Sequence, residues 1–595
     1  MIDKIKKIHS ETTFDFRVFS NPKDELSYLF HEWIPYYKMK YAICKVINPQ
    51  SILEVGVRYG YSAITFLNAS PDASYLGIDN DTNSFGGTKG AIEWAKKITA
   101  EYKTNFLIAD TQEMTKFPGE FYDLIHIDGQ QDGDGTFHDL ELALHKGQWI
   151  LLDGYFWSRE NMLSATYFLE KYKQFIEYAI IIPSYAGDLL IKTKDSVRNI
   201  RISGDNFIDQ TIREGYDKTY FLQSCGGYDS FKRHKGLKLE APALLAIYYI
   251  AISNKSKRIL DVGCGRGELS FALSCTGADV TAIDYSKDAI DIAEKTYEKE
   301  KKDRKLQFFH ADFLKCPFDD HFDLIIASDF IEHIEQNTLD QIVKKISTLL
   351  ESEGIAVFHT APNRLYYDNY YPTLRQRAKK AGTYLPKNPR TYYEDLMHIN
   401  EQTPDGMKNL LEKYFHHVVV WVTGDYDMIG SLAREFNSDE VNESRGIFAV
   451  ASNAQISKKS LLAALTREPI TTDPLCITIK VNSDLTTLPS QKRMQIPISI
   501  KNSSKEELVS LPPNPVHISY HWAEENGKIV IFEGIRTPIL IPILPNEVRE
   551  CLMDLITPNT KGKYQLQITL VQELCFWFEP RVKELPVCID ITIND

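Results

Sequence analysis

Asp329, Glu332 and His333 stand at i, i+3 and i+4 in FDLIIASDFIEHIEQ, a spacing that puts three side chains on one face of a helix opening just after an apolar strand. Two carboxylates and an imidazole so placed have two uses. They can hold a divalent cation, or act as acid and base toward a substrate hydroxyl. The bland reading is a helix-start motif that only supports the fold. Upstream, KRILDVGCGRGELSFALSCTGADVTAID (257–284) offers a second set. Gly263, Gly265 and Gly267 let the backbone turn tightly and approach a ligand, while the next helix presents its amide end. Asp261 precedes them, where a cationic amine is more welcome than a pyrophosphate, and Asp284 follows at about the ~20-residue interval of a ribose-binding carboxylate. The spacing Gly-x-Gly-x-Gly departs from the dinucleotide fingerprint Gly-x-Gly-x-x-Gly, so an NAD-binding unit is the weaker alternative.

The elements that must position these groups are legible too. Ile259, Leu260 and Val262 form a short β-branched run closed by glycine, as a buried parallel strand does. SILEVGVRYGYSAITFL (51–67) followed by YLGIDND repeats the same strand, turn, helix, strand grammar. There Glu54, Gly56 and Gly60 take the places of the first acid and its glycines, Asp79 that of the ribose acid, and Asp110 ends the third strand. YDLIHIDG (122–129), a helix over 137–145 and WILLDG (149–154) continue the alternation, which predicts a parallel sheet covered on both faces. His126 alternates into its strand and reads as a packed core histidine. Leu339, Ile342, Val343, Ile346 and Leu350 form a buried helical stripe.

A chain of 595 residues, 43% hydrophobic, suggests several domains. The net charge of −13 argues against a general nucleic-acid or anionic-membrane surface. Nine scattered cysteines without a Cys-x-x-Cys pair indicate neither a zinc knuckle nor a disulfide framework, and fit a reducing cytoplasm. MIDKIKKIHSETTFDFRV lacks the apolar core of a secretory signal, and the longest apolar stretch, 244–252, is too short to span a membrane.

LDVGCGRGELS followed by VTAIDYS resembles the first two motifs of class I S-adenosylmethionine (SAM) methyltransferases, and the likeness runs on for roughly the next 160 residues. It implies that Asp261 binds the methionyl amine, Asp284 the ribose hydroxyls and Asp312, in FFHADFL, the adenine amine. Tyr285 and Phe313 flank the same cofactor. The Asp-x-x-Glu-His segment is similar to the acid-x-x-Glu-His motif of ubiquinone-biosynthetic O-methyltransferases and of small-RNA 2′-O-methyltransferases. The latter implies a metal site completed by His398, with Asp329 one methylene shorter than the usual glutamate. A metal would bridge neighbouring diol oxygens and lower a hydroxyl pKa; without one, His333 is the base. The first repeat resembles small hydroxyl-directed SAM methyltransferases, some of which bind a divalent ion. Asp128 and Asp153 match two of those ligands, and Gly154 stands where a third is expected. This repeat either binds SAM through Glu54, Gly56, Gly60, Asp79 and Asp110, or is a degenerate copy kept as a scaffold, with Asp128 and Asp153 capping strands.

YDKTYFLQSCGGYDSF precedes the central motif where related enzymes carry a lid, making Tyr216, Tyr220, Gly226 and Gly227 lid candidates. NRLYYDNYYPTLRQRAKKAGTYLPKNPRTYYEDL, dense in tyrosine and cations, is expected to cover the substrate, or to be a solvated lid. After 460, alternation with period two predicts an antiparallel sandwich, similar to β-sandwich modules of bacterial glycan-assembly enzymes. Trp522, Arg536, Trp577 and Phe578 are its saccharide-stacking candidates, though Trp522 and Tyr564 read better as core residues. The expected architecture is thus α/β: two Rossmann-like class I methyltransferase domains with seven-stranded sheets, 1–196 and 197–460, then an all-β sandwich, 461–595. The expected function is SAM-dependent O-methylation of a sugar in a glycan or glycosylated metabolite, with Mg²⁺ as the metal if one is used. The acceptor would be a small molecule or glycan, and the sandwich could form a homodimer. RNA 2′-O-methylation and a non-catalytic glycan-binding protein are the alternatives.

Overall fold

Short β-branched runs alternating with helices build two sheets on one plan in the computed structural model, which describes residues 1–84, 86–199, 215–318 and 321–594. The chain divides into two units, Met1–Phe207 with Asp368–Met397, and Ile208–Tyr367 with His398–Asp595. The opening of the expected second domain, residues 200–214, lies outside the described residues.

In the first unit β1 (Ser51–Val55), β2 (Ser74–Asp79), β3 (Thr104–Ile108), β4 (Tyr122–Ile127), β5 (Gly147–Leu152), β6 (Ile176–Ile182) and β7 (Asp188–Thr193) pair in the order β3-β2-β1-β4-β5-β7-β6. The first five are parallel, and β7 runs antiparallel to both its neighbours. The helix Phe30–Ile47 lays Met39, Ala42 and Ile43 against Ile52, Phe66 and Leu67, closing one face of the sheet. The tyrosine-rich insertion, which the sequence reading sets over a substrate, belongs largely to this unit instead. Its rings and cations find partners there: Tyr392 packs on Phe175 with centroids 4.9 Å apart, Asp395 pairs with Lys171 at 2.7 Å, and Arg375 and Tyr384 both bond Asp134.

In the second unit β8 (Arg258–Val262), β9 (Asp279–Asp284), β10 (Leu306–His310), β11 (Phe322–Ser328), β12 (Leu350–Thr360), β13 (His417–Thr423) and β14 (Gly446–Ser452) repeat the plan as β10-β9-β8-β11-β12-β14-β13. A parallel sheet changes direction at β8, so the carboxyl ends of β8 and β11 open a crevice beside the glycine turn, the usual ligand position in such folds. The apolar helix Pro242–Ser253 buries Leu245, Ile247 and Ile250 against this sheet, and its Tyr249 hydroxyl bonds the Leu540 carbonyl of the sandwich.

The sandwich pairs Ile477–Val481, Arg493–Asn502 and Val548–Ile556 in one sheet, and Val516–Glu524, Gly562–Gln572 and Val587–Asn594 in the other. Its main strands pair antiparallel, with short parallel contacts of Thr487–Pro489 with the last strand and of Arg467 with Pro513. Val548–Ile556 escaped the sequence reading because Leu552 and Ile556 on its outer face blur the alternation with Met553 and Leu555 inside. Trp522 is fully buried and its indole donates to the Ile556 carbonyl at 3.0 Å. Phe578, read as a saccharide-stacking candidate, is fully buried in the core as well. No helix among the described residues is long and apolar enough to cross a membrane.

Candidate active site

The three glycines of the second unit divide two tasks. Gly263 and Gly267 have φ of +75° and +81°, and a Cβ would stand 2.5 Å from the Phe330 ring and 2.7 Å from the Phe308 ring, so both are packing positions. At Gly265, φ +54°, an added Cβ would meet nothing nearer than Phe221 at 3.8 Å, which leaves room for a ligand to touch the backbone. Asp261, at the end of β8, is buried. Ser270 donates to one of its oxygens, and among the described residues the other has no donor. Asp284 ends β9 and is held by the amides of Gly265 and Ser286 at 2.9 and 2.8 Å. Asp312 follows β10 and accepts from the Leu314 amide at 3.1 Å, whereas Phe313 packs into the core with Leu260 and Val262.

The leader segment closes over this crevice. Tyr216 sits edge-on to Tyr285 and to His333, with ring centroids 5.5 Å away in both cases. Its hydroxyl is buried and has no hydrogen-bond partner among the described residues, and the Tyr220 ring packs against its ring with centroids 5.1 Å apart. Arg266, from within the glycine turn, donates to the carbonyls of Phe221, Cys225 and Gly226 at 2.9, 3.4 and 2.6 Å, which fixes the segment ahead of Gly227. The sequence reading did not single out Arg266. An arginine inside a glycine run, facing a leader rich in turn residues, was the available signal.

Asp329, Glu332 and His333 do not share a helical face. β11 ends at Ser328, Asp329 takes φ +47°, Ile331–His333 forms a 3₁₀ turn, and the helix Gln336–Leu349 begins only after the Glu335 cap. The turn leaves Asp329 outside the group that the other two form. Its carboxylate pairs at 2.8 Å with His359 near the end of β12, and this pairing holds Asp329 below and His359 above their ordinary pKa despite burial acting the other way. Glu332 instead turns inward, accepts from the Thr360 hydroxyl at 2.9 Å, and joins His333 and His398, the ligand atoms of all three lying within 4.8 Å of one another. The His333 and His398 rings meet edge-on at 4.8 Å. Burial, with Asp329 nearby, lifts the Glu332 carboxyl to about 7. His359 and Thr360 were missed; a His-Thr pair closing an otherwise apolar strand was their signal.

The corresponding groups of the first unit are arranged differently. Glu54 is fully buried and receives three donors, Ser62, Tyr75 and, at 3.0 Å, His126 Nδ1. Gly56 and Gly60 keep φ of +82° and +77°, but the middle position is Arg58, at φ +50°, with its guanidinium on Asp24. Asp79 accepts the amides of Val57, Arg58 and Asp81, and Asp110 accepts from the Gln112 amide. Asp128 and Asp153 converge with His126, with ligand atoms within 4.8 Å of one another. Lys40 lies among them. His126 is buried, as expected of a core residue, yet both its nitrogens are engaged.

Residues 259–354 match a family model described as a methyltransferase domain, and residues 53–153 match another of the same description. The ubiquinone biosynthesis O-methyltransferase of Coxiella burnetii (strain Dugway 5J108-111) is 31% identical over 169 residues, 28% of this chain and 69% of that protein. That of Actinobacillus pleuropneumoniae serotype 7 is 29% identical over 163 residues, 26% of this chain and 66% of that protein. The chain thus spans about two thirds of the length of these relatives. The solved methyltransferase domain of bacterial CtHen1-C aligns with 36% of this chain and 98% of that one at 18% identity, with a TM-score of 0.26, too low to build on. The chain belongs to the class I SAM-dependent methyltransferases, and carries their fold twice.

The second unit fits the cofactor: an acid with an oxygen to spare, a glycine open to close approach and an orphan tyrosine hydroxyl line one crevice. Burial lifts the carboxyls of Asp261 and Asp284 to about 6. An ammonium binds the ionised acid, so below pH 6 the ligand must displace a proton. SAM affinity is therefore expected to be flat above pH 7 and to weaken by about tenfold between pH 7 and pH 5 through Asp261. Calorimetric titration with S-adenosylhomocysteine across that range measures it, and a pH-independent affinity would contradict it.

Proposed function

We propose that the second methyltransferase fold methylates a hydroxyl oxygen of a sugar, in a glycan or a glycosylated metabolite. The observation that carries the chemistry is the Glu332–His333–His398 group one tyrosine ring away from the residue after Asp284. SAM supplies an activated methyl on its sulfonium. Asp261 holds its amine and Asp284 its ribose hydroxyls, while Tyr216 covers the crevice, excludes water and offers its hydroxyl as a donor. Thr360 fixes the orientation of Glu332, a positioning role. Two imidazoles and one carboxylate would hold a first-row divalent ion such as Mn²⁺ more readily than Mg²⁺, which favours oxygen donors. Such an ion would supply Lewis acidity to the acceptor oxygen.

The sugar acceptor is supported by the sandwich, where Phe532 is half-exposed and stacks on His521, with Trp577 beside it and Arg536 over Trp577 at 4.8 Å. We assign 461–595 to acceptor recognition or homodimer formation, after methyltransferase domains at 1–196 and 197–460. The nine cysteines are all free, in keeping with a cytoplasmic setting. Incubating the full chain with methyl-labelled SAM, nucleotide sugars and glycans on one side and RNA on the other tests the reading. Label is expected in carbohydrate, lost with chelator and restored by Mn²⁺. Label in RNA alone overturns the acceptor class; activity indifferent to chelator overturns the metal and leaves His333 as the base.

A further inference from the structure

The acid cluster of the first unit is built around a positive charge that the chain itself provides. Lys40, on the helix Phe30–Ile47, has no exposed side-chain surface. Its Nζ lies 2.7 Å from His126 Nε2, 3.1 Å from Asp153 Oδ1 and 3.9 Å from Asp128 Oδ2, the three groups that otherwise make a metal-type set. The Tyr36 ring lies 4.4 Å from the ammonium, and the Tyr36 hydroxyl donates to Asp153 at 2.7 Å.

We propose that Lys40 is a resident cation standing where a divalent ion would sit, so that the first fold keeps the ligand-like residues of a cation site yet neither needs nor takes a metal. The ammonium already stands among the three ligand groups. A divalent ion bound to them would need contacts of about 2.0–2.2 Å, and it would lie against the ammonium. The lysine takes the very lone pair a metal would use: an ammonium donates, so His126 Nε2 must accept, which leaves Nδ1–H to donate to Glu54. That single tautomer ties the lysine to the saturated acid of the glycine turn. Charge balance agrees. Burial works against ionising Lys40, but the carboxylates beside it, Asp153 first, more than offset it, and the lysine in turn helps hold Asp153 at about 2 although burial pushes Asp153, Asp128 and Asp188 the other way. Removing a buried charge from such a set leaves its partners uncompensated.

The test uses Mn²⁺ alone as the probe, on full-length protein carrying His333→Ala and His398→Ala to silence the other cluster. With Lys40 intact this parent is expected to bind no Mn²⁺ by electron paramagnetic resonance. Lys40→Ala in the same background is expected to gain one equivalent, which Asp153→Asn removes. The proposal is overturned if the parent binds an equivalent that Asp153→Asn removes, or if folded Lys40→Ala gains none. The parent measurement needs no change at Lys40, and Lys40→Gln, whose longer neutral side chain carries an amide donor toward Asp153, replaces Lys40→Ala should the latter not fold.

Discussion

Asp261→Asn is expected to weaken SAM and S-adenosylhomocysteine binding by the second fold by roughly a hundred- to a thousandfold and to reduce methylation to background. The carboxylate is buried at the end of β8 with one oxygen lacking a donor, so the cofactor amine is its natural counter-charge. Removing one member of a buried charge pair costs about 3–5 kcal/mol, with 1.4 kcal/mol for each tenfold in affinity. The same substitution leaves stability at neutral pH unchanged or raises it. A carboxyl whose pKa burial lifts to about 6 is ionised at pH 7 at the expense of the folded state, and asparagine relieves that. Calorimetry with S-adenosylhomocysteine, paired with thermal melting, separates lost binding from lost folding. Unchanged affinity in a well-folded variant would remove Asp261 from the cofactor site.

Glu332→Gln and His333→Ala are expected to lower kcat by about 10²–10⁴-fold, the range of acid–base and related activating groups, with S-adenosylhomocysteine affinity changed by less than threefold. Both side chains belong to the trio that includes His398, and Glu332 is held by the Thr360 hydroxyl. Asp329→Asn should cost far less, under tenfold, since that carboxylate is engaged by His359 and lies outside the trio. Single-turnover methylation at saturating SAM makes the comparison. Equal losses at Asp329 and Glu332 would mean that the three acids and bases act as one group after all.

The spacing of glycines and acids in 51–79 and 257–284 carried both sheets into view, because buried parallel strands and close backbone approach each demand particular residue types at short range. The site was legible where a role follows from chain position, as with Asp261 and Asp284 at consecutive strand ends. It was not legible where one residue changes the direction of the chain. The left-handed Asp329 converts an expected helix into a 3₁₀ turn, and an i, i+3, i+4 reading has no means of seeing a positive φ at its first member. Nor does a local pattern show what arrives from elsewhere. His359, Thr360 and Lys40 reach their partners from distant segments, and a lone lysine on a helix is normally read as solvated.

Arg266 gives the glycine turn a second duty. Because one guanidinium grips three leader carbonyls from inside the loop that would touch the nucleoside, opening the entrance and loosening the floor become a single event. A spent cofactor would then depart only when that grip is broken, so residence time, and with it inhibition by product, is set by an arginine that never meets the methyl group.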